Sequence, residues 1–160
     1  MTSGPATNST DIELALESPR SVSVQELIQE SDAYQRTLYP PDSTFLLDLD
    51  ALAAPDVRFL VARRAGVAVG CGALRVDPQG YGEVKRMFVV QTSRGLKIGK
   101  RILERLEEQA RQEGLALLRL ETGVHQPEAI GLYRRSGFVE CEAFGSYRPD
   151  PLCVFMEKSL

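Results

Sequence analysis

Residues 91–101 read QTSRGLKIGKR, in which Gly95 and Gly99 stand among Arg94, Lys97, Lys100 and Arg101. The stretch follows an apolar run ending Phe88-Val89-Val90 and leads into residues with helical spacing. Where a strand turns into a helix, the first backbone amides of the helix have no acceptor and sit at the positive end of its dipole. An anion is the natural guest of such a place. Charge-assisted hydrogen bonds contribute on the order of 1.5–3 kcal/mol each, so three or four supply much of the roughly 8 kcal/mol of micromolar binding. No metal is needed for this chemistry.

Two better known glycine patterns do not fit. A Walker loop needs four residues before its Gly-Lys pair and a hydroxyl after it. Here only Leu96, Lys97 and Ile98 separate Gly95 from Gly99, and Arg101 stands where the metal-binding hydroxyl belongs. GCGALR at 70–75 begins like a dinucleotide fingerprint, but Arg75 takes the third glycine position and a strand follows. Those glycines read as strand packing or bulge positions.

The elements that must position the loop follow from periodicity. MTSGPATNST, residues 1–10, reads as a disordered tail. IELALES then alternates like a half-buried strand, and SVSVQELIQESDAYQRTLY carries apolar residues at helical spacing. Pro40 and Pro41 end that helix, and STFLLDLDAL predicts a short second helix opened by Ser43 or Thr44. From residue 57 the period is two. VRFLVARR, GVAVGCGALRV and YGEVKRMFVV, split by AG and DPQG turns, predict an antiparallel meander. Strict alternation puts Glu83, Lys85 and Met87 on one face of its third strand and Val84, Arg86 and Phe88 on the other.

Residues 95–113 place Ile98, Ile102, Leu103, Leu106 and Ala110 on one side of a helix that stops at Gly114. LALLRLET, nearly continuous in apolar residues, predicts a buried strand in parallel pairing after a right-handed crossover. A last helix in QPEAIGLYRRSG and two strands, FVECEAF and CVFMEKSL, complete an α+β domain over 11–160.

The succession of strand, RGLKIG, helix, strand and AIGLYRRSGF resembles the GNAT superfamily of N-acetyltransferases, over nearly the whole chain from residue 11 onward. In that family Arg or Gln, two residues, Gly, any residue, then Gly or Ala bind the pyrophosphate of acetyl-CoA. Arg94 to Gly99 fit, except that Lys97 replaces the middle glycine and keeps its amide. GEVKRM, LETGVHQPEA and FGSYRPDPLCVFMEK look like a bacterial branch of small-molecule acetyltransferases. The resemblance implies a mixed, mostly antiparallel sheet of about six to seven strands flanked by about four helices. It implies acetyl-CoA as donor, with Arg94, Gly95, Leu96, Lys97, Ile98, Gly99 and Lys100 around the pyrophosphate. Met87, Phe88 and Val89 would flank the pantetheine arm, provided the fourth and fifth strands splay apart. Gln126 stands where relatives often have Asn, with its amide one methylene farther out.

Acyl transfer to an amine needs a proton acceptor, because an amine with a pKa near 10.4 is protonated at neutral pH, and the departing thiolate needs a donor. Tyr133, in GLYRRSGF, takes the family's general-acid place. Glu83 is the leading base, since many members carry a carboxylate on that strand; Glu121 is second and a chain of waters third. His125, the single histidine, reads as an exposed loop residue. Lys85, Arg86 and Arg148 are the expected grip on an acceptor carboxylate, which predicts an amino acid or related small amine. Asp42, Asp48 and Asp50 are the features that favour a polyamine instead. Two other readings are a regulatory CoA-binding module without catalysis and an acetyltransferase of proteins or peptides.

A net charge of -3 and a pI near 5.3 speak against a nucleic-acid partner. No apolar stretch approaches the roughly 18 residues of a membrane span. Cys71, Cys141 and Cys153 have no metal or redox spacing and read as reduced thiols of a cytoplasmic protein, and the resemblance implies a monomer or homodimer.

Overall fold

The computed structural model describes residues 11–41 and 48–160. The expected tail, Asp42 and the helix start expected at Ser43 or Thr44 lie outside them. Strands β1 (Ile12–Leu16), β2 (Val57–Arg64), β3 (Val67–Val76) and β4 (Gly82–Val89) form an antiparallel run. Strand β5 (Leu117–Gly123) pairs in parallel with β4, and β7 (Cys153–Ser159) inserts antiparallel between β5 and β6 (Val139–Cys141). The seven strands make one sheet, β1-β2-β3-β4-β5-β7-β6. Helices α1 (Val22–Leu38), α2 (Leu49–Leu52), α3 (Ile98–Gln112) and α4 (Pro127–Arg135) complete the fold.

Apolar side chains cover both faces of the sheet. Ile98, Ile102, Leu103, Leu106 and Ala110 of α3 bury one stripe against Leu60, Leu74, Val84, Leu118 and Met156, and Tyr133 of α4 joins them. On the opposite face Val24, Leu27 and Ile28 of α1 and Leu52 of α2 pack on Phe59, Val61, Cys71 and Phe88. Each fully buried aliphatic side chain contributes about 1.5–3 kcal/mol. The described start of α2 is capped by Asp48, whose carboxylate accepts from the Ala51 amide. Asp48 is therefore a cap, and Asp50 is an exposed partner of Arg20 at 2.8 Å.

Gly72 lets α3 approach the sheet: a Cβ there would lie 2.7 Å from Ile102 Cγ2 and 2.7 Å from Met87 Sδ. Strand packing is therefore the role of this glycine, as its sequence context indicated.

The alternation expected along β4 is broken. The β3–β4 register shifts between Cys71 and Ala73, and Arg86 has a φ of 58°. This extra residue is a β-bulge, and every side chain beyond it changes face. Met87 packs with the α3 side and Phe88 with the α1 side. Arg86 pairs with Asp32 of α1. The grouping of Met87 with Glu83 and Lys85, and of Val84 with Arg86 and Phe88, is thus corrected.

The parallel pairing of β4 and β5 is confined to Gly82–Val84 against Leu118–Leu120. Beyond Val84 the strands diverge, as binding of an extended ligand between them requires.

Candidate active site

The glycine loop opens directly onto this divergence. Residues Gln91–Ser93 form a short 3-10 turn, and α3 starts after Lys97, whose φ of 59° and ψ of 27° are left-handed. The first helical hydrogen bond runs from the Arg101 amide to the Lys97 carbonyl. The amides of Ile98, Gly99 and Lys100 therefore precede any helical acceptor. They face a cleft of about 680 Å³ lined also by Arg94, Gly95, Lys97, Arg135, Met87, Phe88 and Val89. Basic side chains, unpaired amides and an apolar floor together fit a molecule with a phosphorylated end and a less polar arm. Leu96 differs from its neighbours: it does not line the cleft and packs on the core.

Met87, Gln126, Ala129 and Tyr133 line both this cleft and a second, inner pocket of about 80 Å³. The inner pocket has room for a few waters or a fragment of that size. Two carboxylates, Glu83 and Glu121, and two cations, Lys85 and Arg86, line it. Burial, with the Glu121 carboxylate nearby, pushes the Tyr133 phenol far above its ordinary range. It is protonated at neutral pH and can donate where the two cavities meet. Burial also raises the Glu121 carboxyl, against the opposing pull of a hydrogen bond with Cys153 and the charge of Lys85. The Cys153 thiol is in turn pushed up to about 12 and stays neutral.

Residues 22–138 match the family described as Acetyltransferase (GNAT) family. The chain belongs to this GNAT family. It is 56% identical over 151 residues to the IAA acetyltransferase of Azospirillum brasilense, covering 94% of this chain and 99% of that one. It is 34% identical over 92 residues to the aminoalkylphosphonate N-acetyltransferase of Salmonella typhimurium, covering 54% of this chain and 60% of that protein. Among solved structures, an acyl-CoA N-acyltransferase of Klebsiella pneumoniae superposes with a TM-score of 0.80 at 39% identity, covering 94% and 99% of the two chains.

As a GNAT N-acetyltransferase, the enzyme draws its acetyl group from acetyl-CoA and transfers it to an amine. The cleft and the inner pocket meet at Tyr133, which lines both. Arg94 is held over the cleft by the ring of Tyr34, 5.4 Å from its centroid, and by the Val89 carbonyl at 3.3 Å. Gln126 accepts from the Tyr39 hydroxyl at 3.2 Å, and that hydroxyl accepts from the His125 amide. His125 is exposed, stacks on Tyr39 and lines the cleft rather than the inner pocket. Arg148 is exposed and does not line the inner pocket. Sequence reasoning missed Tyr34, Tyr39 and Tyr147. The one local signal was the apolar-polar spacing that includes Tyr34 along α1, which marks a helix face but not what it covers.

Lys97 carries a testable cost. A residue with a Cβ in the left-handed region loses about 1 kcal/mol against glycine. Lys97→Gly is expected to unfold at higher urea than Lys97→Ala, by about 1 kcal/mol, while both bind CoA within a few-fold of the parent because the amide is kept. Equal midpoints for the two variants would show that the loop bears no such strain.

Proposed function

We propose that this GNAT enzyme acetylates the primary amine of a small molecule that also carries an acid group, by direct attack in the inner pocket. The observation that carries this reading is the pairing of two carboxylates with two cations around a pocket of about 80 Å³. An aminium group matches Glu83 and Glu121, and an acid group matches Lys85 and Arg86, whose planar guanidinium suits a planar or tetrahedral anion. The name of the aminoalkylphosphonate N-acetyltransferase, a substrate with both groups, supports the same class. Because Arg148 stays outside, the grip rests on Lys85 and Arg86.

In this reading Glu83 takes the proton of the amine, and Tyr133 donates toward the departing sulfur. Acetyl-CoA supplies the activated acetyl group; the amides of Ile98, Gly99 and Lys100, with Arg94, Lys97 and Lys100, hold its pyrophosphate. Met87, Phe88, Val89 and Gln126 flank its arm. The three free thiols, Cys71, Cys141 and Cys153, suit a reducing, cytoplasmic setting.

A turnover screen with acetyl-CoA tests the acceptor class. Amino acids and aminoalkylphosphonates are expected to be acetylated at least tenfold faster, in kcat/KM, than polyamines and aminoglycosides of similar concentration, a difference of about 1.4 kcal/mol. Activity confined to polycationic amines would sink the proposal.

A further inference from the structure

Glu83 is a wall shared by two cavities. One side of it lines the inner pocket, and the other lines an outer cavity of about 370 Å³ between the β3–β4 turn and the loop before β7. Tyr147, in that loop, donates to Glu83 Oε2 at 2.7 Å. Lys85 Nζ donates to the same carboxylate oxygen at 3.1 Å and to the Tyr147 hydroxyl at 2.6 Å. Arg75 Nη1 stands 3.9 Å from the other oxygen, Oε1, and is itself tied to Asp77 at 3.3 Å. The Glu83 side chain is 5% exposed, so these groups determine its orientation.

We propose that Tyr147 is the positioning residue of the proposed base: its hydroxyl fixes the Glu83 carboxylate between the cavities, so that a proton taken from the acceptor on one side passes to water on the other. The inference rests on the reading of Glu83 as base. The protonated amine loses one proton to the carboxylate, which becomes a carboxylic acid and then gives that proton to water in the outer cavity, returning to its anionic form.

Several features agree with this role. Burial and the Glu83 charge hold the Tyr147 phenol far above its ordinary range, so it remains a donor at every working pH. Its ring is fixed edge-on to Phe144 at 5.2 Å and tilted against Phe155 at 5.6 Å. The titratable groups facing Glu83 are Lys85 on β4, Arg75 on β3, Glu121 on β5, Tyr81 just before β4 and Tyr147 in the loop. Arg119, its register partner on β5, is turned to the rings of Tyr81 and Phe144 instead.

Tyr147→Phe removes the hydroxyl and keeps the ring. Without that hydroxyl the carboxylate is no longer held toward the acceptor, so kcat is expected to fall about tenfold while the acceptor KM and, by calorimetry, the CoA affinity stay within about twofold. In a Glu83→Gln background the same substitution is expected to leave kcat unchanged. An unchanged kcat in Tyr147→Phe, with Glu83→Gln severely impaired, would overturn the positioning role alone. Full activity in Glu83→Gln would overturn the base reading and this inference with it.

Discussion

Replacing Gly99 by aspartate is expected to weaken CoA binding by about 100-fold or more, roughly 2.7 kcal/mol, measured by calorimetry. Gly99 is the second residue of α3, and its amide is one of those that precede the first helical hydrogen bond. A carboxylate there places an internal anion on the donors that would hold the pyrophosphate. Its Cβ would lie 3.3 Å from Leu132 Cδ2, which the end of a flexible side chain can yield. An acidic residue in the first turn favours a helix by about 0.3–1 kcal/mol, so lost binding would not reflect a lost helix. Gly99→Ala, which adds the same Cβ without the charge, is expected to retain affinity within a few-fold. Parent-like binding by the aspartate variant would mean that the pyrophosphate lies elsewhere.

Tyr133→Phe is expected to lower kcat by about 100-fold while CoA affinity changes by no more than about threefold. That pattern marks an interaction used mainly in the transition state. The ring would still sit edge-on to Phe138 at 5.9 Å, and the melting temperature is expected to hold. Rapid-quench and steady-state turnover together measure the effect; an unchanged kcat would make Tyr133 a packing residue of α4. The experiment is informative because the residue lines both cavities, so packing and chemistry predict opposite results at one position.

The loop and its helix could be read from sequence because their signals are local. Gly95 and Gly99 mark the turn, α3 has apolar residues at every three or four positions, and Gly137, at a φ of 95°, ends α4 where expected. The meander was equally legible, since Ala65 and Gly66, with φ of 50° and 81°, form the tight connection that AG suggested. Arg86 shows where this kind of reading stops. A bulge at a residue with a Cβ has no signature in a period-two pattern, and here the neighbouring strand shares in producing it. The partners of the pocket's charges were hidden for a related reason. Lys85 meets Tyr147 across 62 positions and Arg86 meets Asp32 across 54, so only the fold brings them together. Lys85 and Arg86 line the inner pocket, but their existing acid partners could not be foreseen. An acceptor's acid group must compete with those partners.

The three-residue pairing of β4 with β5 bears on how long the protein survives. Past Val84, the edge of β4 faces a wedge in the middle of a sheet, where its backbone groups are served by solvent or by whatever enters. A molecule that enters the wedge binds the folded chain and has no counterpart site in the unfolded one. By mass action it stabilises the fold by about 2.7 kcal/mol when present at a hundred times its dissociation constant. Proteases that attack transiently opened chains sample that same equilibrium. With acetyl-CoA as that molecule, a fall in its supply would expose the chain to turnover as well as slow its reaction.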